Sequence, residues 1–278
     1  MEISAAQVKA FRDKTGLPMM DCKRALIEAE GNEDLAVEIL RKSGAKTMAG
    51  RTDRVTEAGR ISLYVDTDKN ITAMVELLCE SAPVSKTEEF VALSNALAEQ
   101  LAKGPGAKTA EELLAQPYPG KPGTTLKQVF DEQVNKIREV FRLPRLVRIE
   151  GPTGAYVHHD FAAAAVLPLE GDNSVLGKDI AMHVVAMKPE ALSEGDVPPA
   201  VVERERNFVL EQAKADASFA KKPENIQQKI IDGKMKSFFA ERTLLGQQFV
   251  KDSAKTVAQV AEEGKIKIKE MIHWVLGK

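Results

Sequence analysis

The sequence predicts a multi-domain α+β protein, and three changes of pattern carry that prediction. The first 45 residues place apolar side chains at helical spacing, residues 60–79 switch to strand-like alternation, and a hairpin-plus-helix order returns about ninety residues later. A chain of 278 residues is long enough for one large domain or two to three small ones with real cores.

Ser4 and Gln7 form a capping-box pair at the start of a first helix, which carries Val8 and Phe11 inward and ends at Thr15-Gly16. Gly16-Leu17-Pro18 makes a short connection, because glycine permits unusual dihedrals and proline fixes its own φ. A second helix runs from Met19 or Met20 to Ala29, with Cys22, Ala25, Leu26 and Ala29 as inner positions. Gly31-Asn32 breaks it, and Asn32 caps a third helix that carries Leu35, Ala36, Ile39 and Leu40 and is closed by Gly44. Residues 1–45 therefore read as a three-helix unit, either marginal alone or supported by a partner, and the polar, aperiodic stretch 46–57 reads as a linker.

Residues 58–150 read as the first half of a core. Arg60–Asp66 and Asn70–Cys79 form a β-hairpin, a helix over Lys86–Lys103 turns Phe90, Leu93, Leu97 and Leu101 to one face, and a helix over Leu126–Phe141 precedes the strand-like Leu146–Ile149. Gly154–His159 and Phe161–Leu169 make a second hairpin. A helix over Gly177–Met187 follows, with Ile180, Val184 and Met187 inside. The repeated order predicts a duplicated α+β core with antiparallel sheets, its second half built from 151–195 and 243–278. Residues 196–242 interrupt it with Pro198-Pro199 and two charged helices near 200–217 and 223–240, each with a narrow apolar stripe. This is the pattern of an inserted antiparallel helical hairpin. Lys265–Lys269 alternates as a strand whose lysines guard an edge.

Composition narrows the function. A net charge of −2, with basic residues scattered among as many acids, argues against a direct nucleic-acid binder. Two distant cysteines, Cys22 and Cys79, suit a reducing cytoplasm. The N-terminus lacks leader character and no 18-residue apolar run occurs, so a mature, cytoplasmic protein without a membrane span is expected. Gly171–Lys178 approaches a phosphate-binding loop but has one residue too many between its glycines and Asp179 where a hydroxyl should follow. His158, His159, His183 and His273 show no metal-ligand spacing. Neighbouring His158 and His159 would point to opposite faces of a strand. Cys22 and Cys79 lie on apolar segments without a visible activating base. The expectation is a binding protein: no enzyme, no cofactor and no metal.

Three features exceed what a core demands. Leu17-Pro18-Met19-Met20 either fills the three-helix core or offers a polarizable patch to a partner. The loop Cys79–Val84 is either a connection or a contact carried on a rigid scaffold. The charged hairpin is either a solvated spacer or an oligomer contact.

The run Thr15–Leu26 (TGLPMMDCKRAL), continued by Glu28-Ala29-Glu30-Gly31-Asn32 and Ile39–Gly44, closely resembles the N-terminal signature of the elongation factor Ts family. Cys79–Phe90, Ile180–Pro189, Gly246–Val250 and Lys255–Val257 agree in order, so the resemblance spans nearly the whole chain. It implies that the three-helix unit is similar to ubiquitin-associated (UBA-like) domains, and that the protein is a guanine nucleotide exchange factor for the GTPase elongation factor Tu. The alternative is a non-catalytic scaffold that uses the UBA-like unit to bind another protein. Pairing of two copies through core or hairpin stays open.

By the resemblance, Met19, Met20 and Lys23 match positions that touch the GTPase, His158 matches a core histidine placed against it, and Phe249-Val250 matches a further contact segment. Many members carry Thr-Asp-Phe-Val, whose phenylalanine wedges in near the GTPase magnesium site. Here Ser81-Ala82-Pro83-Val84 stands instead, which implies a smaller, stiffer wedge. The frequent Ile-Gly-Glu-Asn becomes Ile137-Arg138-Glu139-Val140, altering a second contact loop around Ile137. Longer members continue past the strand near Lys278 into a C-terminal helix, so a smaller contact is expected here.

Overall fold

The structure is a computed structural model describing residues 3–51, 53–215, 218–220 and 222–278, with backbone only at 45–49. Its mixture of helices and antiparallel sheets is α+β, and it divides into two compact units. Unit one holds the chain up to Glu150 with His159–Ala162 and Val275–Lys278; unit two holds Gly151–His158 and Ala163–Trp274.

Unit one opens with α1 (Ala5–Thr15), α2 (Met19–Glu28) and α3 (Glu33–Ala49). The capping box forms as its residues dictate: Ser4 N–H donates to Gln7 Oε1 at 2.9 Å and Gln7 N–H to Ser4 Oγ at 3.3 Å. Gly16 takes the left-handed conformation (φ 67°) that ends α1. Val8, Phe11, Cys22, Ala25, Leu26, Ala29, Ala36 and Leu40 close the small core.

Gly44 does not close the third helix, which continues through it to Ala49 and takes up the start of the expected linker. A Cβ on Gly44 would lie 2.0 Å from Asn135 Oδ1, so this glycine serves close helix approach rather than helix termination.

β1 (Ala58–Asp66) and β2 (Ile71–Cys79) form the hairpin, and a 3-10 turn at Val84–Lys86 leads into α4 (Glu88–Lys103). Thr87 caps α4 by accepting from Phe90 N–H, which is why the helix starts two residues later than its periodicity alone suggests. Short α5 (Ala110–Leu114) and α6 (Leu126–Ile137) precede β3 (Arg142–Glu150), which pairs antiparallel with β2. The strand order β1-β2-β3 puts β2 at the centre, and nearly all of its residues are buried. Phe90, Leu93, Leu97 and Leu101 of α4 pack on Ala73, Val75 and Leu77 of β2. Helix α6 stops at Ile137, short of Phe141, because Arg138 turns left-handed (φ 63°).

The outer edge of β1 is occupied. Ile61 N–H donates to Phe161 O at 2.8 Å, and the Arg60 guanidinium lies 3.7 Å above the Phe161 ring. On the central strand the buried Glu76 carboxylate accepts from Arg145 Nε and Nη2 at 2.7 and 2.6 Å, so its charge is paired.

Unit two repeats the theme. β4 (Thr153–Val157) and β5 (Ala163–Glu170) pair antiparallel, and α7 (Ser174–Met187) covers them. The hairpin is shorter than expected: His158 and His159 lie in its turn, and Phe161 adopts a positive φ of 60°. α8 (Pro199–Ala215) and α9 (Glu224–Arg242) share a core of Val209, Ala213, Ile231, Met235 and Phe238, as the stripe on two charged helices predicts. β6 (Gln248–Phe249), β7 (Asp252–Thr256), α10 (Val257–Glu263), β8 (Lys267–Ile268) and β9 (Ile272–Val275) complete the unit, with β8 and β9 pairing onto β5. The expected strand at Lys265–Lys269 contracts to two residues. At the closest crossing of α7 over β4, a Cβ on Gly154 would fall 2.2 Å from the Gly177 carbonyl, so both positions exclude a side chain.

Candidate functional site

The candidate residues of unit one are few and well separated in sequence, yet a short set of hydrogen bonds joins them. Pro18 caps α2 and starts it abruptly, so Met19, Met20 and Lys23 sit in the first turns. Met19 is 46% and Met20 63% exposed; Lys23 is exposed beside them. Neither methionine belongs to the three-helix core, so the core-filling reading of this pair is set aside. Between them and Lys23 lies Asp21, whose carboxylate accepts from both Arg24 and Arg138.

Arg138 ends α6, and its carbonyl accepts from Arg51 Nη1 at 2.7 Å. The next residue, Glu139, holds the 80–84 loop. Its Oε2 accepts from Glu80 N–H (3.1 Å) and Ser81 N–H (3.0 Å), and its Oε1 from Ser81 Oγ (2.5 Å). Glu80 reciprocates: its Oε1 accepts from Val140 N–H at 2.8 Å, while Arg54 pairs with Oε2 at 2.8 Å. Charge-assisted bonds of this kind are about twice as strong as neutral ones, so the loop is held firmly. Ala82 and Pro83 then stand exposed at its tip with Val84 half-buried, and Ile137 is half-buried at the end of α6.

Cys79, at the start of this loop, is not poised as a thiolate. Burial, with the nearby negative charge of Glu139, pushes its thiol up to about 12, far from the thiolate that nucleophilic chemistry needs. Cys22 is wholly buried. Among the described residues no group of three or more His, Cys, Asp or Glu could hold a metal ion, and no helix is long and apolar enough to cross a membrane.

In unit two the candidates divide by burial. His158 is half-buried in the hairpin turn, its Nδ1 3.3 Å from the Tyr156 hydroxyl. Phe249 is 5% exposed and belongs to the core, whereas Val250 is 51% exposed. The outward position of that pair is therefore Val250, and Phe249 anchors it.

The backbone of Val250 is fixed by a group that sequence reasoning passed over. His183, fully buried on α7, accepts from Val250 N–H through Nδ1 (3.2 Å), and its Nε2 faces Gln247 Oε1 at 2.9 Å. Gln247 Nε2 donates to Glu241 O at 2.7 Å, which orients the amide so that its oxygen faces the ring. His183 must then carry its proton on Nε2 and remain neutral. Burial lowers its pKa, in keeping with that state. The holding roles of Asp21, Glu139 and His183 are not read from the sequence: Glu139 enters only as part of the altered loop Ile137–Val140, and His183 only as a histidine without metal-ligand spacing.

A protein-family model described as Elongation factor TS matches residues 80–278. The chain belongs to the elongation factor Ts family. The three-helix unit precedes that matched segment, and full-length elongation factor Ts relatives extend the similarity over it. A protein named Elongation factor Ts from Hydrogenobaculum sp. is 37% identical over 278 residues, covering all of both chains. One from Kineococcus radiotolerans is 38% identical over 92% of each chain. One from Cytophaga hutchinsonii is 39% identical over 94% of this chain and 93% of its own. The resemblance to elongation factor Ts carried by Thr15–Leu26 is thus borne out over nearly the entire sequence.

Proposed function

We propose that the chain is a guanine nucleotide exchange factor of translation elongation in the cytoplasm, which binds the GDP-loaded GTPase elongation factor Tu and speeds GDP release without itself making or breaking a covalent bond. The observation that carries this reading is the exposed Met19-Met20 pair at the start of α2: two large thioethers that the three-helix core does not use. Methionine is suited to an irregular partner surface because it is flexible and polarizable. Lys23, the Ser81–Val84 loop, Ile137, His158 and Val250 are the further contacts proposed, with Phe249 supporting Val250 from the core.

The physics is linkage. A partner that favours the nucleotide-free conformation weakens nucleotide affinity by the factor by which nucleotide weakens the partner's binding. Each 1.4 kcal/mol of such coupling corresponds to about tenfold in affinity. With Pro83 in place of an aromatic wedge, the loop offers a short, stiff tip, so more of the coupling must come from the α2 patch. Release of a fluorescent GDP analogue from bacterial elongation factor Tu tests the reading. Acceleration by substoichiometric protein is the expected result, and tight binding without acceleration would leave only the scaffold.

A further inference from the structure

Resting on the exchange reading above, we propose that Arg138 and Glu139 are positioning residues that couple the α2 patch to the 80–84 loop, so that both meet the GTPase as one preformed surface. The tripeptide Arg138-Glu139-Val140 hydrogen-bonds to both: Arg138 to Asp21 of α2, Glu139 and Val140 to Glu80 and Ser81.

The backbone geometry makes this choice specific. Arg138 sits at φ 63°, a conformation that glycine adopts freely and an arginine only with strain. An arginine kept there gives up local ease for what its side chain does, and that side chain ends on Asp21, the residue directly after Met20. Arg51 Nη1 donates to the Arg138 carbonyl at 2.7 Å, which holds the backbone of that turn. The helical neighbours leave the contact open to change. A cavity of about 160 Å³ lined by Leu17, Asp21, Leu40, Gly44, Asn135 and Arg138 lies beside the ion pair, so packing alone does not lock α2 to α6. A surface made in advance spares the partner the ordering cost of assembling it on binding.

Arg138→Gly separates positioning from folding, because it removes the latch while suiting the backbone. Thermal stability should stay at the wild-type level, while affinity for elongation factor Tu falls about fivefold, as loss of one ion pair of this exposure permits. Asp21→Asn should weaken binding by a similar factor and add little on top of Arg138→Gly, as two members of one pair must. Glu139→Gln, which leaves an oxygen acceptor but removes the charge, should speed amide hydrogen exchange at Glu80 and Ser81 about tenfold.

Wild-type affinity in Arg138→Gly, or additive losses in the double variant, would overturn the coupling. So would affinity and stability falling in parallel. If the wild-type protein fails to release GDP, the exchange reading falls by itself. Amide exchange of the free protein then still decides the coupling: Arg138→Gly must loosen residues 19–24 and 80–81 together, and loosening of one set alone refutes it.

Discussion

The two sheet-and-helix layers share an order of elements and differ in how the helix meets its sheet. In unit one, α4 stands off β2 by the width of Phe90, Leu93, Leu97 and Leu101, so its contact is filled by large side chains. In unit two, α7 comes down on β4 until the Gly154 and Gly177 backbones nearly touch, and a histidine–glutamine pair is buried beyond the crossing. One layer is sensitive to what is removed and the other to what is added. Duplicated order therefore does not imply duplicated energetics.

Substitutions can break that contrast. The largest effect is expected from Leu97→Ala, which empties a fully buried site in the first layer and should cost about 3–4 kcal/mol in urea unfolding followed by far-ultraviolet circular dichroism. A small loss would show that α4 can settle onto the sheet. Next comes Gly154→Ala. One methyl placed against fixed backbone should cost about 2–3 kcal/mol, although it adds apolar surface. A neutral result would mean that α7 is free to lift, and the contrast between the layers would fail.

The buried histidine sharpens the comparison further. His183 has its pKa lowered below 6.5 by burial, so the unfolded chain takes up a proton before the folded one does as pH falls. Its contribution to stability is complete above about pH 6.5 and is lost progressively below it, down to the lowered folded value. His273 in the same unit is lowered too, by burial and then by the charge of Lys188, and acts in the same direction. Trp274 is the one tryptophan of the chain and lies in unit two, so its fluorescence follows this unit as acid is added. Gln247→Ala, which orphans the His183 Nε2–H and Glu241 O, should cost about 1–3 kcal/mol at neutral pH and deepen the acid response, because the lost hydrogen bond is one that raises the His183 pKa.

The smallest change expected is a gain. Gly233 lies within α9 with open space around a would-be Cβ, so Gly233→Ala should stabilise the hairpin by about 0.5–1 kcal/mol without touching either layer.

What the sequence could reveal follows from range. The capping box of α1, the hairpin of β1 and β2, and the charged helices α8 and α9 are encoded by residues a few positions apart, and periodicity shows them. Gly44 looks like a stop because glycines usually end helices; its purpose is Asn135, ninety-one positions on (135 − 44). The end of α6 carries no glycine, since Arg138 takes the left-handed turn itself. Strands of two residues, such as β6 and β8, have no period to read. Among the candidate residues, exposure of Met19 and Met20 was undecidable from composition, because methionine fills cores and interfaces alike. Glu139 in a loop gives no hint that its acceptors serve Glu80 and Ser81, since that pairing exists only once the sheet has formed.

The covered edge of β1 has its own consequence for the protein at high concentration. Outer strands offer rows of free amides and carbonyls that can recruit a second chain and seed fibrils. Here Phe161 O already holds Ile61 N–H, and the Arg60–Phe161 stack stands across the same margin as a steric and cationic guard. A strand margin guarded in this way should resist pairing with a second chain along that edge.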